Sequence, residues 1–102
     1  MASNLYKVEV SSSSVSCKGL YTSTVEGDIM VGEFIRNCCV NLCIDPDTVD
    51  GRTRNVHVYL DDGGDAIWDY DPNQILKDSR VAELQRLRIE LVDGTRTKSL
   101  GT

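Results

Sequence analysis

The stretch Val25-Glu26-Gly27-Asp28-Ile29-Met30-Val31-Gly32-Glu33-Phe34-Ile35-Arg36 carries the chain out of one hydrophobic rhythm and into another. Residues 20–25 read as a strand. From Val31 onward the apolar side chains Val31, Phe34, Ile35, Cys38 and Leu42 recur at i, i+3, i+4, i+7 and i+11, the stripe of an amphipathic helix. Such a stripe has to lie on something, and the strands on either side make a β-sheet the available partner. Asp28, just ahead of the helix, suits the positive end of its dipole, and Gly32 in the first turn costs a little helix propensity.

Towards the N-terminus, Leu5-Tyr6-Lys7-Val8-Glu9-Val10 alternates as a half-buried strand, with Tyr6, Val8 and Val10 inward and Lys7 and Glu9 outward. It ends in Ser11-Ser12-Ser13-Ser14. That run continues to Gly19 as a loose turn, because serine competes with regular structure for backbone hydrogen bonds. Residues 20–25 then return as the second strand of a hairpin.

Beyond the helix, Asp45-Pro46-Asp47-Thr48-Val49-Asp50-Gly51 is polar, with proline and glycine, and reads as a loop. Its aspartates do not make a calcium loop. The glycine falls one place late, and the twelfth position, Val56, lacks the bidentate glutamate. Asn55-Val56-His57-Val58-Tyr59-Leu60 alternates again, with Val56, Val58 and Leu60 inward and His57 and Tyr59 outward. Asp61-Asp62-Gly63-Gly64-Asp65 turns the chain into a short strand, Ala66-Ile67-Trp68. Residues 69–79 are irregular, or a short helix around Gln74-Ile75-Leu76. Leu87-Arg88-Ile89-Glu90-Leu91-Val92 alternates as the last strand, its Leu87, Ile89 and Leu91 completing the core.

The chain's 102 residues bound it to one domain, residues 1–92, followed by a polar tail over 93–102. Eleven basic against 16 acidic residues, a net charge of −5, argue against a nucleic-acid binder, which needs a positive face. The first residues are soon followed by charge rather than by a long apolar run, so neither a signal peptide nor a membrane span is expected, and the expected location is the cytoplasm. Cys38, Cys39 and Cys43 crowd the predicted helix, where bridging geometry is poor, and read as reduced, buried thiols. A zinc site would need Cys17 and His57 to converge from distant strands, so no metal is expected. His57 is the one histidine, and no cysteine or serine is placed by sequence to pair with it as a nucleophile. No enzyme, catalytic residue or cofactor is indicated.

A hairpin, a helix crossing it, a third strand, a meandering connection with a short strand and short helix, and a closing strand resemble the ubiquitin-like β-grasp order over residues 5–92. The opening stretch resembles the family's passage from second strand to main helix. Ile75-Leu76-Lys77-Asp78-Ser79-Arg80-Val81 resembles the leucine, acidic, apolar segment before its last strand. The resemblance implies an α+β fold, a mixed four- to five-stranded sheet with one main helix packed on it. It is especially similar to small bacterial ubiquitin-like proteins, including those encoded with type VII secretion systems and those of conjugation operons.

What the resemblance implies for function divides three ways. A conjugated protein modifier needs a mobile tail ending in glycine, served by an E1-like activating enzyme and an E2-like conjugating enzyme. Here the tail lacks a terminal Gly-Gly, and Gly101 becomes the end only if Thr102 is removed; a solvated tail is the plain alternative. A sulfur carrier, ending directly in Gly-Gly, fits less well. A non-covalent adaptor or secretion-system accessory module would use the outer sheet face, where Lys7, Glu9, His57, Tyr59, Arg88 and Glu90 mix opposite charges and Tyr59 is the natural anchor. Lastly, Tyr59-Leu60-Asp61-Asp62-Gly63-Gly64-Asp65-Ala66-Ile67 resembles the acidic motif of PB1 domains, in which Asp61, Asp62 and Asp65 would meet a basic-faced partner domain. A solvated turn explains the same residues.

Overall fold

The computed structural model describes residues 5–13, 20–60 and 67–92. Strand β1 (Leu5–Ser11) pairs antiparallel with β2 (Leu20–Glu26), in unbroken register from Leu5↔Glu26 to Ser11↔Leu20. Helix α1 (Val31–Asn41) crosses the sheet. A two-rung hairpin, β3 (Thr48–Val49) and β4 (Arg52–Thr53), precedes β5 (Val56–Leu60). A 3₁₀ turn (Leu76–Asp78) and the short helix α2 (Arg80–Leu84) lead into β6 (Arg86–Leu91). The four-stranded sheet runs β2-β1-β6-β5, so the first and last strands lie side by side in its centre as a parallel pair, Glu9↔Arg86 to Ser11↔Arg88. This mixed sheet under one main helix is the β-grasp topology. The segment expected as a fifth strand contributes one bridge, Tyr59↔Ile67, at the edge of β5.

The core is the apolar stripe of α1 laid on the inner face of the sheet. Val31, Phe34, Ile35, Cys38 and Leu42 meet Val8 and Val10 of β1, Val56, Val58 and Leu60 of β5, and Leu87 and Ile89 of β6, all buried. Burying side chains of this size contributes about 1.5–3 kcal/mol each. Trp68 is half-buried against this cluster, its ring 5.5 Å from that of Tyr70.

The start of α1 is held from a distance. Met30 occupies the N-cap without a side-chain hydrogen bond. Instead the Val31 and Gly32 N–H groups donate to the Gln74 and Pro72 carbonyls at 2.8 and 3.0 Å, and Leu76 and Lys77 N–H groups donate back to Ile29 and Gly27. Backbone from forty residues later thus satisfies donors that a helix otherwise leaves open. The approach explains Gly32: a Cβ there would sit 2.5 Å from the Gly51 carbonyl oxygen and 2.7 Å from Pro72 Cβ. Its small propensity cost is the condition for packing three segments together.

Two sequence expectations need correction. The helix stops at Asn41, so Cys43 is not on it. Cys43 adopts φ 66° and closes the helix as a Schellman motif, the Ile44 N–H donating to the Cys39 carbonyl and the Cys43 N–H to that of Val40. In consequence Cys38 and Cys39 are buried, as expected, and Cys43 is exposed. The stretch expected as plain loop over 45–51 carries β3 and the turn into β4. Asp50 and Gly51, at φ 53° and 86°, form the twisted two-residue turn that suits a hairpin. The 3₁₀ turn at Leu76–Asp78 falls within the segment 69–79 expected as irregular or a short helix, and α2 lies beyond it.

Candidate protein-recognition site

Strands β5 and β6 pair from Val56↔Leu91 to Leu60↔Leu87, which sets Tyr59 opposite Arg88 and His57 opposite Glu90 on the outer face. Cross-strand neighbours on one face lie close enough for their side chains to interact. The Arg88 guanidinium lies over the Tyr59 ring, 4.3 Å from its centroid, and His57 meets the same ring edge-on at 6.4 Å. Arg88 also reaches Glu90, Nε to Oε2 at 3.5 Å. Glu90 in turn accepts from the Ser13 N–H at 3.0 and 3.1 Å and from the Ser13 hydroxyl at 3.1 Å. Of the outward residues named from sequence, His57, Tyr59, Arg88 and Glu90 are therefore linked in one braced patch.

Sequence reasoning missed the brace. Ser13 arrives from the end of β1 because β1 and β6 are neighbours, a long-range pairing that no local pattern announces. On the same face Arg86 stands opposite Glu9, its Nε 3.7 Å from Oε1, an exposed pair worth little by itself. The face is polar in its side chains. Its one large aromatic, Tyr59, is partly covered by a cation and partly open.

Asp61, Asp62, Asp65 and Gly101 lie outside the described residues, as do Cys17 and the tail over 93–102. Among the described residues, no group of three or more His, Cys, Asp or Glu is arranged to hold a metal ion. No helix there is long and apolar enough to cross a membrane. Burial pushes the Cys38 and Cys39 thiols up to about 12. A thiol held protonated in this way is a poor nucleophile.

A second organised region surrounds the β3–β4 hairpin. The Tyr70 hydroxyl accepts the buried Thr53 N–H at 3.0 Å, and the Arg52 guanidinium packs over the Tyr70 ring, 4.7 Å from its centroid. Arg52 also donates to the Tyr70 carbonyl and pairs with Asp69 at 2.7 Å. Asn55 closes the base of the hairpin, accepting from the Asp47 N–H and donating to the Asp45 carbonyl. These contacts fix the β3–β4 hairpin to the chain that caps α1, and they account for themselves as structure.

No protein-family model matches the chain, and no curated protein matches it. Among solved structures, one described as "Molecular Mimicry of SUMO promotes DNA repair" superposes with a TM-score of 0.56 at 14% sequence identity, covering 90% of this chain and 95% of that chain. At that identity the likeness speaks to the fold.

Proposed function

We propose that this β-grasp domain works by being recognised by other proteins, through the outer face of β5 and β6. The observation that carries the reading is Tyr59 held between Arg88 and His57, with Arg88 braced through Glu90 to Ser13. An aromatic ring whose neighbours are already fixed loses little freedom on binding, and tyrosine and arginine are enriched among the residues that dominate interfaces. The similar structure, whose description speaks of mimicry of SUMO, supports a role in which the shape of the fold is what a partner reads.

Two sharper forms of this reading involve residues 61–65 and 101. Processing to Gly101 would make the chain a protein modifier, attached by E1-like and E2-like enzymes through a tail that follows the domain at residue 92. Alternatively Asp61, Asp62 and Asp65, next to Tyr59 in sequence, would extend the patch towards a basic-faced partner, as an adaptor does. Both act through the same domain.

The test is purification of the N-terminally tagged protein from its own cells, under native and under denaturing, reducing conditions, alongside Tyr59→Ala and a truncation before Gly101. A partner recovered natively and lost with Tyr59→Ala supports recognition through the outer face. Higher-mass species that survive denaturation and vanish on truncation make the protein a modifier. Recovery unchanged by Tyr59→Ala overturns the assignment of the face.

A further inference from the structure

The sheet has two edges, and the chain treats them differently. The edge of β5 is met by its own polypeptide: Tyr59 bridges Ile67, and the Trp68 N–H donates to the Val58 carbonyl at 2.7 Å. The edge of β2 is met by no strand among the described residues. Among the described residues it also lacks several of the usual defences of an edge. Its seven residues, Leu20–Glu26, include no proline, lysine or arginine, and no bulge interrupts the register with β1. An edge of this kind accepts a further strand.

The sequence of β2 names the strand that fits. It is close to symmetric in character about Ser23. Laid antiparallel against a second copy with Ser23 on the two-fold axis, Thr22 stands opposite Thr24, Tyr21 opposite Val25, and Leu20 opposite Glu26. The outer-face pair is threonine with threonine and the inner-face pair is aromatic with β-branched, both favourable across strands. The one charge, Glu26, faces leucine, so no like charges oppose each other although the chain carries −5 in total. A two-fold axis normal to the sheet also carries the inner face of one copy into the inner face of the other, as an isologous interface requires.

We propose that the protein self-associates through β2, joining two four-stranded sheets edge to edge about Ser23. Pairing of one strand buries less than the roughly 1,200 Å² of a standard interface, so the dimer is weak, with a dissociation constant on the order of 0.1 mM.

Sedimentation equilibrium of the full chain, from about 10 µM to about 1 mM, spans that value. The expected result is a concentration-dependent dimer, with the β2 amides gaining hydrogen-exchange protection as the dimer forms. Thr22→Lys with Thr24→Lys sets lysine against lysine across the axis, and Thr22→Glu with Thr24→Glu sets glutamate against glutamate. Both positions are exposed, so the fold tolerates either change. Each double variant alone should dimerise roughly tenfold more weakly than the wild type, and an equimolar mixture of the two should recover the association. A wild type that stays monomeric throughout overturns the proposal. So does a dimer indifferent to both variants, or a mixture no stronger than its components.

Discussion

Strands β5 and β6 carry two chemistries back to back. Val56, Val58, Leu60, Leu87 and Ile89 point into the buried core, while His57, Tyr59, Arg88 and Glu90, one residue out of step, point the other way and hold one another through ring, cation and carboxylate contacts. The inner row is specified by exclusion from water, a large and undirected effect. The outer row is specified by geometry among polar groups that water would also satisfy, so each contact adds little stability and its arrangement is free to serve recognition.

That contrast is most exposed to failure at Ile89. Ile89→Asp buries an unpaired carboxylate at a position with no solvent access and is expected to cost more than about 4 kcal/mol, enough to abolish the cooperative transition in a denaturant melt. A normal melt would mean that the two rows are interchanged.

Alkaline pH tests the inner face without mutation. Cys38 and Cys39 ordinarily ionise at 9.0, and burial pushes both up to about 12 in the fold. Between those values the unfolded chain has lost protons that the folded chain retains, so stability falls as pH rises. Each thiol removes up to about 1.4 kcal/mol per pH unit in that window. Burial raises Tyr21 and Tyr70 as well, which adds in the same direction. Chemical denaturation from pH 8 upward should show the midpoint retreating above about pH 9, whereas Cys38→Ala with Cys39→Ala should flatten the decline.

Gly32→Ala is expected to destabilise by about 1–3 kcal/mol, although alanine is the better helix former, because its Cβ would press on the Gly51 carbonyl and Pro72. Thermal melting decides the sign. If the variant is more stable, the tie between the helix start and residues 72–77 is slack.

The smallest effect belongs to the outer face. Arg88→Ala removes the guanidinium from Tyr59 and should cost only about 0.5–1 kcal/mol of stability. A larger loss would show that the outer row helps hold the fold, and would erase the division of labour between the two rows.

Much of the fold is legible from periodicity. The stripe Val31, Phe34, Ile35, Cys38, Leu42 and the alternations in β1, β5 and β6 all point inward as their spacing requires. His57, Tyr59 and Arg88 follow from the same alternation read from its other side. What periodicity does not carry is anything satisfied by backbone at long range: the capping of α1 by Pro72 and Gln74, the brace from Ser13 to Glu90, and the reason for Gly32. The β3–β4 hairpin is a different case. Asp50-Gly51 is a strong hairpin signal, but it sits among aspartates and a proline that read first as loop. Cys43 shows the converse, since a residue taking the left-handed position usually given to glycine leaves no trace in an apolar count.

The parallel pairing of β1 with β6 has a consequence for how the protein comes into being. β1 leaves a ribosome well before β6, and the centre of the sheet does not exist until both have emerged. Until residues 86–91 emerge, the nascent chain can hold a hairpin and a fraying helix whose apolar stripe has only half a floor. Contacts that span most of the sequence make closure late and nearly all-or-none. For that interval the chain depends on its surroundings, and a stall in synthesis before residue 86 would present Phe34 and Ile35 to the cell instead of to Ile89.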